Sequence, residues 1–190
     1  SFYLSVTSLL DKQLPKGYGF YNWLKHNTPE DADFTRDSRA SYGTLMHIVL
    51  SEMITGQQID LDSLDDRVEE YAESEGYGDL IEEWQDELKK DVLSHAVFLK
   101  EKNVKPIAIE VPLKSESLGL GGAIDLVCEM TFNKKTVRAI IDDKSNKSGQ
   151  FYESHAVQLG IYKRIWEENY PDKPIDMLFN YSSKDWTKKP

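Results

Sequence analysis

The chain has 190 residues, 39% of them hydrophobic and 29% charged, with a formal net charge of −10. That length and balance suit one soluble globular domain able to bury a core, and the absence of any run of 18 apolar residues excludes a membrane-spanning helix. The single cysteine, Cys128, excludes an internal disulfide and fits a reducing cytoplasm.

The negative charge argues at first sight against a nucleic-acid partner. Its distribution weakens that argument. Residues 60–91 hold 14 acids against three bases, whereas residues 131–190 hold 11 bases against eight acids. The acidity belongs to one segment, which need not face a substrate.

The stretch Ser1 to Thr7 has neither a basic leader nor a long apolar run, so no signal peptide is expected. Ser5 to Asp11 reads as a short helix capped by Ser5 or Thr7. From Lys16 to Leu24 glycines interrupt the periodicity, and Phe20, Tyr21, Trp23 and Leu24 can gather as an aromatic patch. Such a patch either stacks on bases or, the reading preferred here, pins an N-terminal arm to the core. Pro29 to Ser38 is polar and expected to be loop. From Ser38 to Gly56, Leu45, Ile48, Val49 and Met53 recur at helical spacing, with Gly56 as a C-cap and His47 on the helix. A lone helical histidine is usually structural.

Residues 62–103 read as helical with a break at Gly76, Tyr77 and Gly78. Leu64, Val68 and Tyr71 make one apolar face. Leu80, Ile81, Trp84, Leu88, Val92 and Leu93 make another. The acids cover the outside. A solvated helix pair is the favoured reading over a partner-docking or strand-excluding surface. Pro106 to Lys114 alternates as a strand, with Ile107, Ile109 and Val111 on one face and Ala108 and Glu110 on the other.

Ala123–Met130 and Val137–Ile141 are short runs rich in Ile, Val and Leu, joined by the polar turn 133–135. They predict a β-hairpin with Cys128 packed inside as a thiol. Asp125 lies in its first strand and Asp142 ends its second. Lys144, two residues on, points to the same side as Asp142. Two carboxylates brought together repel and desolvate unfavourably unless a cation neutralises them, and hard oxygen ligands suit Mg²⁺ or Mn²⁺. A lysine beside them can orient or deprotonate a water, or stabilise charge on a phosphate. A strand-end salt bridge is the alternative. A polar loop follows, and then a helix from Ser154, with Gln158 and Tyr162 one turn apart on one face and Val157, Ile161 and Ile165 available to pack on another. Ile175 to Tyr181 reads as a last strand. There is no P-loop, internal repeat, zinc-type Cys/His spacing or helicase motif.

These segments resemble the PD-(D/E)XK nuclease superfamily, and most of all its RecB-type and phage-exonuclease branch. The core of the resemblance is Gly122-Ala123-Ile124-Asp125 followed by Ile140-Ile141-Asp142-Asp143-Lys144. Two flanking matches reinforce it. Gly43-Thr44-Leu45-Met46-His47 is similar to that branch's Gly-Thr-x-x-His motif, and Gln158 with Tyr162 is similar to its Gln-x-x-x-Tyr motif. The match runs over residues 41–162.

The resemblance implies an α/β fold, a central mixed sheet flanked by helices in a restriction-endonuclease-like core. The chain would then be a single domain over 1–190 with an acidic helical insertion at about 62–103. It implies a divalent-metal-dependent deoxyribonuclease, an exonuclease of DNA recombination, repair or phage DNA processing, in a bacterial or phage-infected cytoplasm. His47, Asp125, Asp142 and the backbone carbonyl of Asp143 would bind Mg²⁺ or Mn²⁺. Glu110, where family members often carry an acid, is a further candidate ligand or a strand-surface charge. Lys144 would activate or orient water, with Gln158 and Tyr162 beside it and the nucleic-acid backbone. DNA would be the partner, with a separate helicase or single-strand annealing protein as a further one. The iron–sulfur variant of such nucleases needs four cysteines and is ruled out. The alternative functions are a catalytically silent member that binds or inhibits a protein through its acidic helices, and a sequence-specific endonuclease.

Overall fold

A computed structural model describes residues 3–146 and 149–183, without the side chains of Tyr18 and Gly19. Lys147 and Ser148 of the loop after Lys144, and the polar tail from residue 184, lie outside it. Among the described residues five strands form one mixed sheet: β1 (Leu4–Ser5), β2 (Lys105–Ser115), β3 (Leu120–Phe132), β4 (Lys135–Asp143) and β5 (Met177–Tyr181). β3 is its centre. It pairs antiparallel with β2 and β4, and parallel with β1 at Leu120 and Gly121. β5 lies parallel to β4. Among the described residues there are six α-helices: α1 (Val6–Gln13), α2 (Tyr18–Leu24), α3 (Pro29–Ile54), α4 (Ser63–Ser74), α5 (Ile81–Glu101) and α6 (Glu153–Asn169). This is the α/β arrangement expected of the sequence. No described helix is long and apolar enough to cross a membrane.

The β3–β4 hairpin closes on Asn133 and Lys134, with φ of 48° and 63°. Two consecutive left-handed residues make the two-residue turn whose twist matches the flanking strands, and Asn tolerates that region well. Lys135, read from sequence as part of the turn, is the first residue of β4 and pairs with Phe132.

Two expectations in the N-terminal third fail. The segment 29–38 is helix, not loop. Thr28 Oγ1 accepts from the Asp31 N–H at 3.2 Å and Pro29 opens the helix, both standard start signals. Only Ala32 and Ser38 are buried over that stretch, so no apolar stripe marks it. The aromatics of 16–24 do not pin an arm to the core either. They form α2, with Phe20 41% and Tyr21 51% exposed.

Apolar burial is split into three clusters. Val6 and Leu10 of α1 and Leu159, Ile165 and Trp166 of α6 pack on one sheet face with Ile124, Val127 and Ile140. On the other face lie Leu126, Cys128, Ala139 and Ile141, with Phe98 of α5 and Tyr181. α3, α4 and α5 make a third cluster around Tyr42, Leu45, Val49, Val68, Trp84 and Leu88. Each fully buried aliphatic side chain contributes about 1.5–3 kcal/mol of transfer free energy. α5 therefore serves two cores, and its inward stripe runs Trp84, Leu88, Asp91, Val92, His95, Phe98. Leu93, assigned to that stripe from sequence, falls outside it and is exposed, as is Ile48 of α3.

Candidate active site

Simple alternation along β2 does not survive in the structure. The register slips between Pro106 and Ala108, leaving Ile107 as an extra residue. Glu110 then has φ 45°, a left-handed backbone in mid-strand. Consequently Ala108 and Val111 pack toward α6 while Ile109 packs on the opposite face. β3 changes face at the matching point, because Ile124 and Val127 lie under α6 but Leu126 and Cys128 lie opposite. The register on either side, Ile109 with Leu126 and Val111 with Ile124, sets Glu110 across from Asp125. A left-handed non-glycine residue costs about 1–2 kcal/mol, and such strain gathers at functional positions. Here it accompanies the turning of a surface-strand acid toward α3.

His47 of α3 meets these two acids. Its Nδ1 lies 3.3 Å from Glu110 Oε1 and 3.7 Å from Asp125 Oδ2. One ligand atom from each of His47, Glu110 and Asp125 falls within 4.8 Å of the others. Asp125 Oδ2 also accepts the Asp143 N–H at 2.9 Å, which fixes the carboxylate against β4. Asp142, another expected ligand, is buried next to this group and ion-paired with Lys144: its Oδ2 lies 2.6 Å from Lys144 Nζ. Glu110 thus stands in the triad where Asp142 was expected.

Electrostatics mark the cluster as short of positive charge. Burial raises Asp125 to about 8 against the pull of His47, with Asp142 and Asp143 adding to the rise. Burial likewise raises Asp143 to about 7, and raises Asp142 against the attraction of Lys144. For His47 burial pulls downward, but the hydrogen bond with Glu110 and the charges of Asp125 and Asp143 win, and the ring is raised to about 9. Carboxylates desolvated beside one another are a site for a cation. Two carboxylates and one imidazole within the span of a single ion are a donor set that fits a hard or borderline divalent metal, Mg²⁺ or Mn²⁺.

Lys144 sits between Asp142 and α6. Its Nζ donates to Gln158 Oε1 at 3.0 Å, and Gln158 Nε2 donates to Tyr162 OH at 3.1 Å. Gln158 and Tyr162 lie on the buried face of α6, with Leu159 and Ile165, while Val157 is exposed. The packing face and the polar pair are therefore one face, not two. Burial holds the Tyr162 phenol up at about 12, so it is a neutral hydrogen-bonding group at physiological pH. Two glycines permit the close approaches. A Cβ on Gly122 would stand 3.0 Å from Tyr162 Cε1, and one on Gly43 would stand 2.9 Å from Ser145 Oγ.

Three further groups support the site and gave no readable signal in the sequence. Arg39 donates to Glu87 at 2.7 and 2.9 Å, donates to the Ser145 carbonyl, and lies 4.4 Å over the Tyr42 ring. It ties α3, α5 and the loop behind Lys144. Asp91 accepts from Tyr42 OH at 2.5 Å and from the Ser183 hydroxyl. His95 is fully buried with its Nδ1 3.7 Å from Asp143 Oδ1, and neither ring nitrogen hydrogen-bonds to the described residues. Burial lowers it to about 3. In sequence Glu87 and Asp91 count among the acids that cover the outside of α5.

A cleft of about 470 Å³ opens beside His47, lined by Arg39, Gly43, Thr44, Ile48, Ser51, Glu110 and Ser145. No residue of the acidic segment 60–91 lines it. That segment is not wholly remote, since Glu87 and Asp91 point inward beneath the site.

The family model described as the PD-(D/E)XK nuclease superfamily matches residues 17–189. No curated protein sequence matches significantly.

Proposed function

Since the chain belongs to the PD-(D/E)XK nuclease superfamily, we propose that it is a divalent-metal-dependent deoxyribonuclease, acting as an exonuclease in DNA recombination, repair or phage DNA processing. The observation that carries this reading is the convergence of His47, Glu110 and Asp125 from three elements, with the Asp142–Lys144 ion pair beside them. A protein using the fold only as a docking scaffold has no need to gather the exposed Glu110, the half-buried Asp125 and the buried Asp142 this close together.

His47, Glu110 and Asp125 would hold the metal, with Asp142 and the Asp143 carbonyl at hand. When bound, the ion polarises a phosphate oxygen and lowers the pKa of a water. The remaining work belongs to the chain. Asp142 and Gln158 fix the Lys144 ammonium from two sides, so it meets a scissile phosphate without reorganising. There it stabilises charge that develops on the phosphate oxygens and orients the attacking water. Tyr162 holds Gln158 in the rotamer that accepts from Lys144. Arg39 keeps the following loop against α3. DNA is the proposed partner, lying along the cleft beside α3.

The test is cleavage by the purified protein of end-labelled linear, circular, single-stranded and double-stranded DNA, with Mg²⁺, Mn²⁺ or EDTA. Metal-dependent mononucleotide release from linear substrates is expected. Cleavage of circles as fast as linear forms would replace the exonuclease reading with an endonuclease. Inactivity on every form would refute the nuclease reading.

A further inference from the structure

Phe151, Tyr152 and His155 form a ring cluster at the start of α6 that neither the core nor the proposed chemistry uses. Phe151 is 43% and Tyr152 54% exposed. Both rings stand edge-on to His155, at centroid distances of 6.4 and 5.3 Å and interplanar angles of 74° and 78°. Two large rings left in water next to one another forgo the burial that usually holds an aromatic side chain. Their place in the fold indicates what covers them. His155 is one helical turn before Gln158 on the same face of α6, and Gln158 accepts from Lys144 at 3.0 Å. Lys144 is close enough that its charge, after burial, helps hold His155 down at about 4.

Resting on the nuclease reading above, we propose that Phe151, Tyr152 and His155 bind an unstacked nucleobase of the strand whose phosphate lies at Lys144. The chemistry of the cluster favours a base over the backbone. The only carboxylate in the first turn of α6, Glu153, repels phosphate, whereas aromatic faces attract every base alike. The His155 ring is neutral at pH 7 and its Nδ1 accepts the Tyr152 N–H at 3.3 Å. Its proton is therefore on Nε2, a donor for a base edge. The substrate class follows: strands with an unpaired base next to the scissile phosphate, that is, single strands, overhangs and frayed ends. A base inside an intact blunt duplex is stacked on its neighbours and must be extruded first.

The experiment uses the full chain and a short single-stranded DNA carrying 2-aminopurine at successive positions from its end. Wild-type protein in Ca²⁺ should change the probe's fluorescence at one position. Phe151→Ala and Tyr152→Ala should remove that change and raise KM on single strands roughly tenfold, with kcat little altered. Tyr152→Trp should restore both. Because the two rings are exposed, the melting temperature should stay unchanged, which excludes misfolding as the cause. Variants that keep the fluorescence change, or that lose activity equally on single strands and blunt duplex, overturn the proposal while the nuclease reading stands. A wild type that cleaves nothing yet still orders the probe through these rings refutes the nuclease reading and leaves base binding in place.

Discussion

Asp125→Asn should stabilise the metal-free protein. In the folded chain, burial holds the Asp125 carboxyl at about 8, against an ordinary value of 3.8. At pH 7.5 the unfolded chain has released that proton and the folded one has largely kept it. Each pH unit in this window costs about 1.4 kcal/mol, so the ceiling is about 5 kcal/mol. The sign is fixed: a raised carboxyl means the folded state binds more protons, and stability falls as pH rises from about 4 toward 8. The amide resembles the protonated acid and can still accept the Asp143 N–H, which the carboxylate accepts at 2.9 Å, so it escapes this loss. Relaxation and water entry around a buried carboxylate reduce the ceiling. We expect a gain of about 2 kcal/mol, or roughly 4–8 °C in melting temperature for a chain of this size. The assay is thermal unfolding in EDTA at pH 7.5, repeated with Mn²⁺. Wild type should gain stability from Mn²⁺ and the variant should gain much less. A variant no more stable than wild type in EDTA, or equally stabilised by Mn²⁺, refutes the reasoning.

Other outcomes follow from the same structure. His95, held at about 3 by burial, binds its proton far more readily when unfolded, so stability should fall as pH drops from 6.5 toward 3; His95→Phe should flatten the wild-type acid limb in melting temperature against pH. Trp84→Ala removes a fully buried ring from the α3–α4–α5 cluster and should cost about 3–5 kcal/mol in urea unfolding. Gly122→Ala places a Cβ 3.0 Å from Tyr162; it should cut cleavage roughly tenfold or more through a displaced Gln158–Tyr162 pair, with melting temperature showing only a small change.

What the sequence disclosed depended on whether the backbone was regular. The hairpin was legible because Asn133 and Lys134 interrupt two β-branched runs, and regular pairing then carries Asp125 to within reach of the Asp143 backbone. His47, Gln158 and Tyr162 were legible from spacing on regular helices and from the family resemblance. The facing of β2 was not. A bulge at Ile107 and a left-handed Glu110 shift its alternation, and no residue type announces either. Glu110 therefore stood as an open choice between ligand and surface charge, yet it is the acid closest to His47. The first turns of α3 were missed for the opposite reason. The start signals Thr28 and Pro29 were present, but almost nothing there is buried. On α5, Asp91 read as one of the acids covering the outside and His95 gave no signal, because their partners Tyr42, Ser183 and Asp143 lie 40 or more residues away in the chain.

In the proposed function Lys144, held by Asp142 and Gln158 beside the His47, Glu110 and Asp125 cluster, takes part in phosphodiester hydrolysis. The most direct measurement compares cleavage and DNA binding for wild type, Lys144→Ala and Asp142→Ala, at saturating Mn²⁺ and with melting temperatures recorded. Lys144→Ala should slow cleavage by roughly 10²-fold or more while DNA affinity changes only a few-fold, since one phosphate contact among many contributes little. Asp142→Ala should lose cleavage as well, with weaker Mn²⁺ stabilisation. Cleavage by Lys144→Ala within a few-fold of wild type would contradict the account.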